Sequence, residues 1–368
     1  MPRLKAVLAL SLGLFLSASL AAAADWGMKE GAPDIKTAGA LAFGPEGILF
    51  IGDSKGAAIY AIATGDTKSE TSASKLKIEG LNKQIAKLLG VETESITIND
   101  IATNPQTSNV FVSVTKGKGA EATPAIVRVN GAGQLDEVSL KKIPFQKAAL
   151  PAAPEDKEVA RNGRTMNPRN DTITDLAYTD GKVFASGLSN GTAPSSVQQI
   201  PFPFSDGPAA SSVEIFHGAH GRVESSSAIR TFVPMNINGE PSLLAGFVCT
   251  PLVRFPINSL NTAEKTRGTT VAELGNHNRP LDMIVYKKDG KDYLLLSNSD
   301  RGVMKISTEN IARNDGITEK INDTAGQSYE TVKELVGVVQ LDRLNDDHAV
   351  VLILAPNGSQ DLSSVPLP

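Results

Sequence analysis

The chain has 368 residues with 36 basic and 40 acidic side chains, giving a net charge of −4. This charge disfavours nucleic acid and anionic membrane surfaces as partners, because both attract basic proteins. Cys249 is the only cysteine, which excludes an internal disulfide bond. Its apolar flanks predict a small buried hydrophobe.

The first 24 residues predict a secretory signal peptide. Arg3 and Lys5 precede an apolar run that ends in alanines before Asp25, the pattern of a cleaved signal. The run is short and alanine-rich for the ~20 residues that a bilayer span needs, and no later segment is long and apolar enough. We therefore expect a periplasmic or secreted protein without a membrane span after cleavage, with residues 25–368 forming one domain.

A unit of three apolar strands recurs along the rest of the chain. Turns such as Asp180-Gly181 and Asn238-Gly239 suit tight hairpins between the first two strands of a unit. The spacings of 52 to 75 residues are typical of β-propeller blades with loops of unequal length. The fold class is therefore all-β, a β-propeller with six blades favoured over seven, and a two-sheet sandwich is the alternative. The six copies begin at Ala40, Asp100, Asp175, Arg230, Asp282 and about Val336.

Two segments outside the repeat have their own predictions. Residues 72–90 carry leucine and isoleucine at helical spacing and end at Gly90, which predicts one amphipathic helix. The sixth copy lacks a clear third strand, so residues 35–40 are expected to pair with it and close the ring.

The first copy, LAFGPEGILFIGDSKGAAIYAI, resembles the blades of gluconolactonase-type and NHL-type six-bladed propellers. In those blades an apolar strand, a Pro-x-Gly turn and a strand ending near Asp-Ser recur. The resemblance implies a channel that, in gluconolactonase-like members, binds a divalent cation through a Glu from the first blade, two Asn and one Asp. Here Ala40 stands at the first-blade position, and the partial matches are Asn99, Asp100, Asp175 and Asp282.

Three aspartates occupy the same position in their copies. Asp100, Asp175 and Asp282 each stand immediately before the apolar run of the inner strand. Inner strands line the channel of a propeller, so the three carboxylates are expected to converge and to repel one another unless a cation or an arginine compensates. Arg230 falls at the equivalent position in the fourth copy. The alternative is that each aspartate caps its own strand.

The histidines extend this candidate metal site. His217, His220 and His277 precede the fourth and fifth inner strands, so they are expected on the same face of the disc as Asp100, Asp175 and Asp282. Imidazoles together with carboxylates suit transition metals, whereas oxygen ligands alone suit calcium or magnesium. Residues three apart in an extended strand point to opposite faces, so only His220 of the first pair is expected to reach that face.

Polar side chains near the same entrance predict a ligand-binding surface. We expect an exported propeller that binds a small polar ligand or a protein on its loop-rich face, with a divalent cation, calcium or a transition metal, at the channel mouth. The alternative is a metal-dependent hydrolase of the lactonase or phosphoesterase type, with His220 or His277 as general base. The sequence leaves open whether the protein is an enzyme. The candidate ligand-binding residues are Asn276, Asn278, Arg279 and Arg230.

Overall fold

Six β-sheets surround a central channel, as the repeated strand unit predicts. The computed structural model describes residues 26–68, 75–161, 163–205, 207–260 and 264–368, and the predicted signal peptide lies outside these ranges. Each sheet has an inner strand followed along the chain by an antiparallel partner. This confirms the all-β propeller with six blades. Within the described ranges, no helix is long and apolar enough to cross a membrane.

The blades are numbered by the chain order of their inner strands. Blade 1 has β2 (Leu41–Phe43), β3 (Ile48–Asp53) and β4 (Ala58–Ala63), then β10 (Ile143–Ala149) and β1 (Lys29–Gly31). Blade 2 has β6 (Ile96–Thr103), β7 (Val110–Lys116), β8 (Thr123–Val129) and β9 (Leu135–Glu137). Blade 3 has β13 (Asp175–Thr179), β14 (Lys182–Leu188), β15 (Ser195–Pro201), β16 (Ala209–His217) and β17 (Arg222–Glu224), with β21 (Thr266–Arg267) beside β16.

The second half of the chain supplies the other three blades. Blade 4 has β18 (Ile229–Ile237), β19 (Glu240–Phe247), β20 (Pro251–Pro256), β22 (Thr269–Leu274) and β26 (Thr324–Gly326). Blade 5 has β23 (Pro280–Lys288), β24 (Lys291–Asn298), β25 (Gly302–Ser307) and β27 (Tyr329–Thr331). Blade 6 has β28 (Val338–Arg343), β29 (His348–Leu354), β30 (Gln360–Pro366) and β5 (Lys77–Ile78). A separate hairpin pairs β11 (Val159–Arg161) with β12 (Arg164–Met166).

The apolar core lies between neighbouring blades. Phe50 of blade 1 and Val183 of blade 3 belong to one buried cluster, and Val112 of blade 2 shares another with Leu352 of blade 6. A single antiparallel sheet cannot bury both of its faces, so each blade depends on its neighbours for burial.

The blades do not follow chain order around the ring. The inner strand of blade 1 contacts those of blades 2 and 3, and the inner strand of blade 2 also contacts that of blade 6. The order around the channel is therefore 1, 3, 4, 5, 6, 2. After blade 2 the chain returns to blade 1, where β10 pairs antiparallel with β4, and then enters blade 3.

The strand that closes the ring, β5, lies in the segment for which the sequence predicted a helix. Ile78 of β5 pairs with Leu362 of β30, so the prediction that residues 35–40 close the last blade was wrong. The predicted helix over 72–90 was too long, and residues 72–74 of it lie outside the described ranges. The helix α1 spans Leu81–Leu89. It begins at Leu81 because Gly80, at φ 62°, has a left-handed conformation that a right-handed helix cannot include.

Candidate functional site

Three of the predicted aspartates meet at the central channel. Asp100, Asp175 and Asp282 lie on the inner strands of blades 2, 3 and 5. All three line a cavity of about 400 Å³ on the side where the inner strands begin. They also line a second cavity, of about 610 Å³, on the side where the strands end. The three carboxyl groups therefore border both halves of the channel.

Each of these carboxyl groups joins two blades. One oxygen accepts the N–H of the next residue in the same strand, at 2.7 to 2.9 Å. The other oxygen accepts an N–H from the inner strand of the adjoining blade: Asp100 from Leu41 at 2.7 Å, Asp175 from Phe232 at 2.8 Å, and Asp282 from Leu341 at 2.8 Å. The expected cap on each aspartate's own strand is thus present together with a bond to a neighbouring blade.

The second strands of blades 2, 3 and 5 carry a serine beside this connection. Ser113, Ser186 and Ser297 stand opposite the three aspartates in the antiparallel register. The hydroxyl of Ser113 donates to the Gly39 carbonyl of blade 1 at 2.7 Å, and that of Ser297 donates to the Val338 carbonyl of blade 6 at 2.6 Å. The bonds of these three aspartates join blade 2 with 1, blade 3 with 4, and blade 5 with 6.

Sequence reasoning missed a fourth channel carboxylate, Asp342 of blade 6. One of its oxygens accepts the N–H of Arg343 at 2.6 Å and the other accepts that of Thr103 in blade 2 at 2.6 Å. It lines only the larger cavity. In blade 6 the position equivalent to Asp100, Asp175 and Asp282 is held by Gln340, the residue before Leu341, whose N–H donates to Asp282. Asp342 lies two residues after this position. That displacement hid it from the comparison of repeats.

The electrostatics of the channel carboxyls reflect burial and mutual repulsion. Burial raises the pKa of Asp100 well above its ordinary value, and the neighbouring charge of Asp175 raises it further. The pKa of Asp282 is raised in the same way, with Asp100 and Asp175 as the neighbours. Burial raises the pKa of Asp175 to about 7 and that of Asp342 to about 6, against the lowering effect of their backbone hydrogen bonds.

Arg230 lines the smaller cavity together with Asp100, Asp175 and Asp282. It forms an ion pair with Asp171 and not with one of these three aspartates. Its guanidinium donates to Asp171 at 2.9 Å, and both side chains are partly buried. The smaller cavity is lined by both members of this pair. Asp171 was not among the predicted residues; it lies in the loop before Asp175, where the sequence carries no repeat signal.

The other predicted ligand-binding residues lie in the loop before β23, outside the walls of both cavities. Asn276 donates to the Asn322 carbonyl at 2.8 Å. Asn278 is buried and donates to the Gly275 carbonyl at 3.0 Å, so it holds the loop itself. Arg279 and His277 are exposed.

The other two predicted histidines, His217 and His220, lie close together at the end of β16. A tight turn in which the N–H groups of His220 and Gly221 both donate to the His217 carbonyl folds the chain back. The imidazole centroids of His217 and His220 are therefore only 4.0 Å apart, although the spacing predicted opposite faces. His217 is buried and His220 is exposed, and neither lines the channel cavities.

Cys249 brings a third ligand-bearing side chain to this pair. One ring nitrogen of each histidine and the sulfur of Cys249 all lie within 4.8 Å of one another. Among the described residues, His217, His220 and Cys249 are the three side chains whose ligand atoms lie close enough together to hold a metal ion. The channel carboxylates do not form such a group.

Comparisons with known proteins add distant similarities only. No protein family model matches the chain, and no curated protein does. Among solved structures, the plexin A4 extracellular region shows 8% identity and a TM-score of 0.43, over 93% of this chain and 40% of the plexin chain. A glucose dehydrogenase-type oxidoreductase from Thermus thermophilus shows 12% identity and a TM-score of 0.31, over 92% of this chain and 100% of that one. The PQQ-bound aldose sugar dehydrogenase from Streptomyces coelicolor shows 11% identity and a TM-score of 0.32, over 92% and 96% of the two chains. These similarities assign the chain to no family, and its six-bladed architecture is given by the sheet topology.

Proposed function

We propose that the protein is an exported binding module that holds a small, positively charged polar ligand in the smaller of its two channel cavities. The observation that carries this proposal is the charge of the cavity wall. The wall contains four carboxylates, those of Asp100, Asp171, Asp175 and Asp282, and one guanidinium, that of Arg230. Because Arg230 already pairs with Asp171, three carboxyl groups are left without a cationic partner on this wall.

The raised pKa values favour a cationic ligand over an anionic one. Each of the three carboxyls disfavours its own ionised form because of burial, and Asp100 and Asp282 also because of their neighbours. A positive charge beside them would stabilise the ionised forms and lower their pKa values. Each carboxylate oxygen accepts one backbone N–H, which leaves lone pairs for a ligand N–H.

The rest of the wall suits a polar organic ligand. Asn99, Asn170 and Gln340 line the same cavity, and amide side chains both donate and accept hydrogen bonds. A cavity of about 400 Å³ falls within the range of small-molecule sites. A lysine or arginine side chain presented by a partner protein would satisfy the same chemistry.

The hydrolase alternative needs a general base beside the reacting group. In the described part of the chain, neither His220 nor His277 lines a channel cavity. The geometry therefore does not favour the hydrolase alternative in the form with His220 or His277 as the base.

Calorimetric titration with methylguanidinium, putrescine and spermidine tests the proposal, with glucose as a neutral control. We expect at least one cation to bind and to release protons, which two buffers of different ionisation enthalpy would detect. Affinity is expected to fall about tenfold or more in the double variant Asp100→Asn, Asp282→Asn. The matched control is Asp323→Asn, at a largely exposed carboxylate. Failure of all three cations to bind, or equal binding by the double variant, would contradict the proposal.

A further inference from the structure

We propose that His217, His220 and Cys249 form a binding site for a zinc or copper(I) ion that connects blades 3 and 4. This site is separate from the channel and does not rest on the function proposed for it. His217 ends β16 of blade 3, whereas Cys249 follows β19 of blade 4. A metal bound by both residues would be a cross-link between two blades that have no disulfide.

Glu224 orients both imidazoles for metal binding. Its Oε2 lies 3.0 Å from Nδ1 of His217 and its Oε1 lies 2.8 Å from Nδ1 of His220. The Nε–H of Arg222 also donates to Oε1 of Glu224, at 2.9 Å. An ionised carboxylate only accepts hydrogen bonds, so each Nδ1 carries its proton and each Nε2 keeps a free lone pair. A carboxylate behind a histidine is the usual outer partner of a metal ligand.

His217 supplies independent support for a ligand at this place. The residue is 3% exposed, and its Nε2 atom is buried with no hydrogen-bond partner among the described residues. An unpartnered buried polar atom destabilises the fold, and a bound metal ion would give Nε2 a partner.

The loop of Cys249 is held in an unfavourable conformation by its neighbours. Cys249 and Thr250 have φ values of 62° and 54°, a region that non-glycine residues rarely adopt. The N–H of Cys249 donates to the Asn278 carbonyl at 2.9 Å, and the hydroxyl of Thr250 donates to the Gly275 carbonyl at 2.8 Å. These bonds fix the position of the thiol relative to the histidine turn.

Blade 4 also holds the histidine turn itself. The N–H of Gly218 donates to Oε1 of Glu273 at 2.6 Å. A Cβ atom on Gly218 would lie 3.0 Å from the Glu273 side chain, so glycine permits this close approach. The histidine turn is therefore held by β22 of blade 4, and the Cys249 loop is held by the loop that follows β22.

The donor set determines the class of metal. Imidazole binds zinc, copper, iron and nickel, whereas thiolate selects copper(I) and zinc, so zinc and copper(I) satisfy both ligands. Bonds of about 2.0 to 2.3 Å put tetrahedral zinc ligands about 3.3 to 3.6 Å apart, so the group within 4.8 Å closes by a movement of about 1 Å. The side chain of His220 is 45% exposed, which leaves the fourth position open to water or to an exchanging ligand.

Competition against chromophoric chelators tests the site, with Zn²⁺ in one series and Cu⁺ kept reduced by ascorbate in the other. We expect one equivalent of zinc or of copper(I) to bind. Cys249→Ala and His220→Gln change partly or fully exposed positions and are expected to weaken binding at least 100-fold. Glu224→Gln is expected to weaken it 10-fold to 100-fold, and His348→Gln is the control.

Two outcomes would overturn the proposal. One is the absence of stoichiometric binding of either metal to fully reduced protein. The other is unchanged affinity in both Cys249→Ala and His220→Gln. Asp175→Asn separates this site from the channel, because it is expected to leave metal stoichiometry and affinity unchanged.

Discussion

Replacing Asp175 by asparagine should reduce the dependence of protein stability on pH. The pKa of Asp175 is about 7 in the folded chain against an ordinary value of 3.8. A carboxyl whose pKa is raised by folding stabilises the protein fully below its unfolded pKa, and this contribution is lost as pH rises through the folded pKa. At about 1.4 kcal/mol per pKa unit, the shift sets a ceiling of about 4 kcal/mol. Only the two units between pH 5 and the folded pKa of about 7 fall in the tested range, so the change from pH 5 to pH 8 stays below about 3 kcal/mol and we expect about 2 kcal/mol.

Urea denaturation at pH 5, 6, 7 and 8 measures this effect. The free energy of unfolding of the wild-type protein should fall over this range, and Asp175→Asn should fall by about 2 kcal/mol less. The variant should also be less stable at pH 5, because an amide cannot accept the N–H bonds of both Leu176 and Phe232. Asp347→Asn, at an exposed position, is the matched control. Parallel pH curves for Asp175→Asn and wild type would refute the reasoning.

Three further variants test the fold that positions the two sites. Ser297→Ala should lower the free energy of unfolding by about 1 to 2 kcal/mol, since the Val338 carbonyl loses its donor from blade 5; half-buried Ser363→Ala is the control, and equal losses would argue against a specific bond between blades. Ile78→Asp should cost about 3 kcal/mol or more because it puts a charge on the buried closing strand, and a loss no greater than that of the exposed Leu88→Asp would contradict this mode of closure. Gly326→Ala should lower the free energy of unfolding by about 2 kcal/mol or more beyond the loss caused by Gly358→Ala. Both glycines have positive φ, but a Cβ at Gly326 would lie 2.1 Å from the Val271 carbonyl, whereas one at Gly358 meets nothing within 4 Å; equal stabilities would show that the close approach is absent.

The repeat was readable from the sequence because each inner hairpin obeys local rules. Turns such as Asp180-Gly181 and Asn238-Gly239 adopt the positive φ values that their residue types favour. The position of Asp100, Asp175 and Asp282 in the repeat led to their convergence because equivalent residues of inner strands share one level of the channel. Their serine partners carried a signal too, a small polar residue in an otherwise apolar second strand, as in FVSV and FASG.

The order of blades around the ring was not readable in the same way. Blade 2 lies between blades 1 and 6 because β5 and β10, on either side of blade 2 in the chain, pair with blades 6 and 1. Both pairings are nonlocal, and β5 is only two residues long. A strand of that length leaves no periodicity that separates it from the start of the following helix.

The metal group depends on two turns that the sequence analysis interpreted incompletely. His217 and His220 were treated as extended strand, but Gly221, at φ 64°, allows the chain to reverse and bring the rings together. Cys249 was predicted to be a buried hydrophobe and is instead half-buried in a turn. Pro251 inside the same apolar run was the available signal, since proline at that point favours a strand boundary.

Anomalous diffraction from crystals grown with one equivalent of zinc, and separately with copper(I), tests the division into two sites most directly. We expect a single peak bonded to His217, His220 and Cys249, between blades 3 and 4. We expect no peak within bonding distance of Asp100, Asp175 and Asp282. A metal bound to these channel carboxylates, with none at the histidine and cysteine group, would contradict the account.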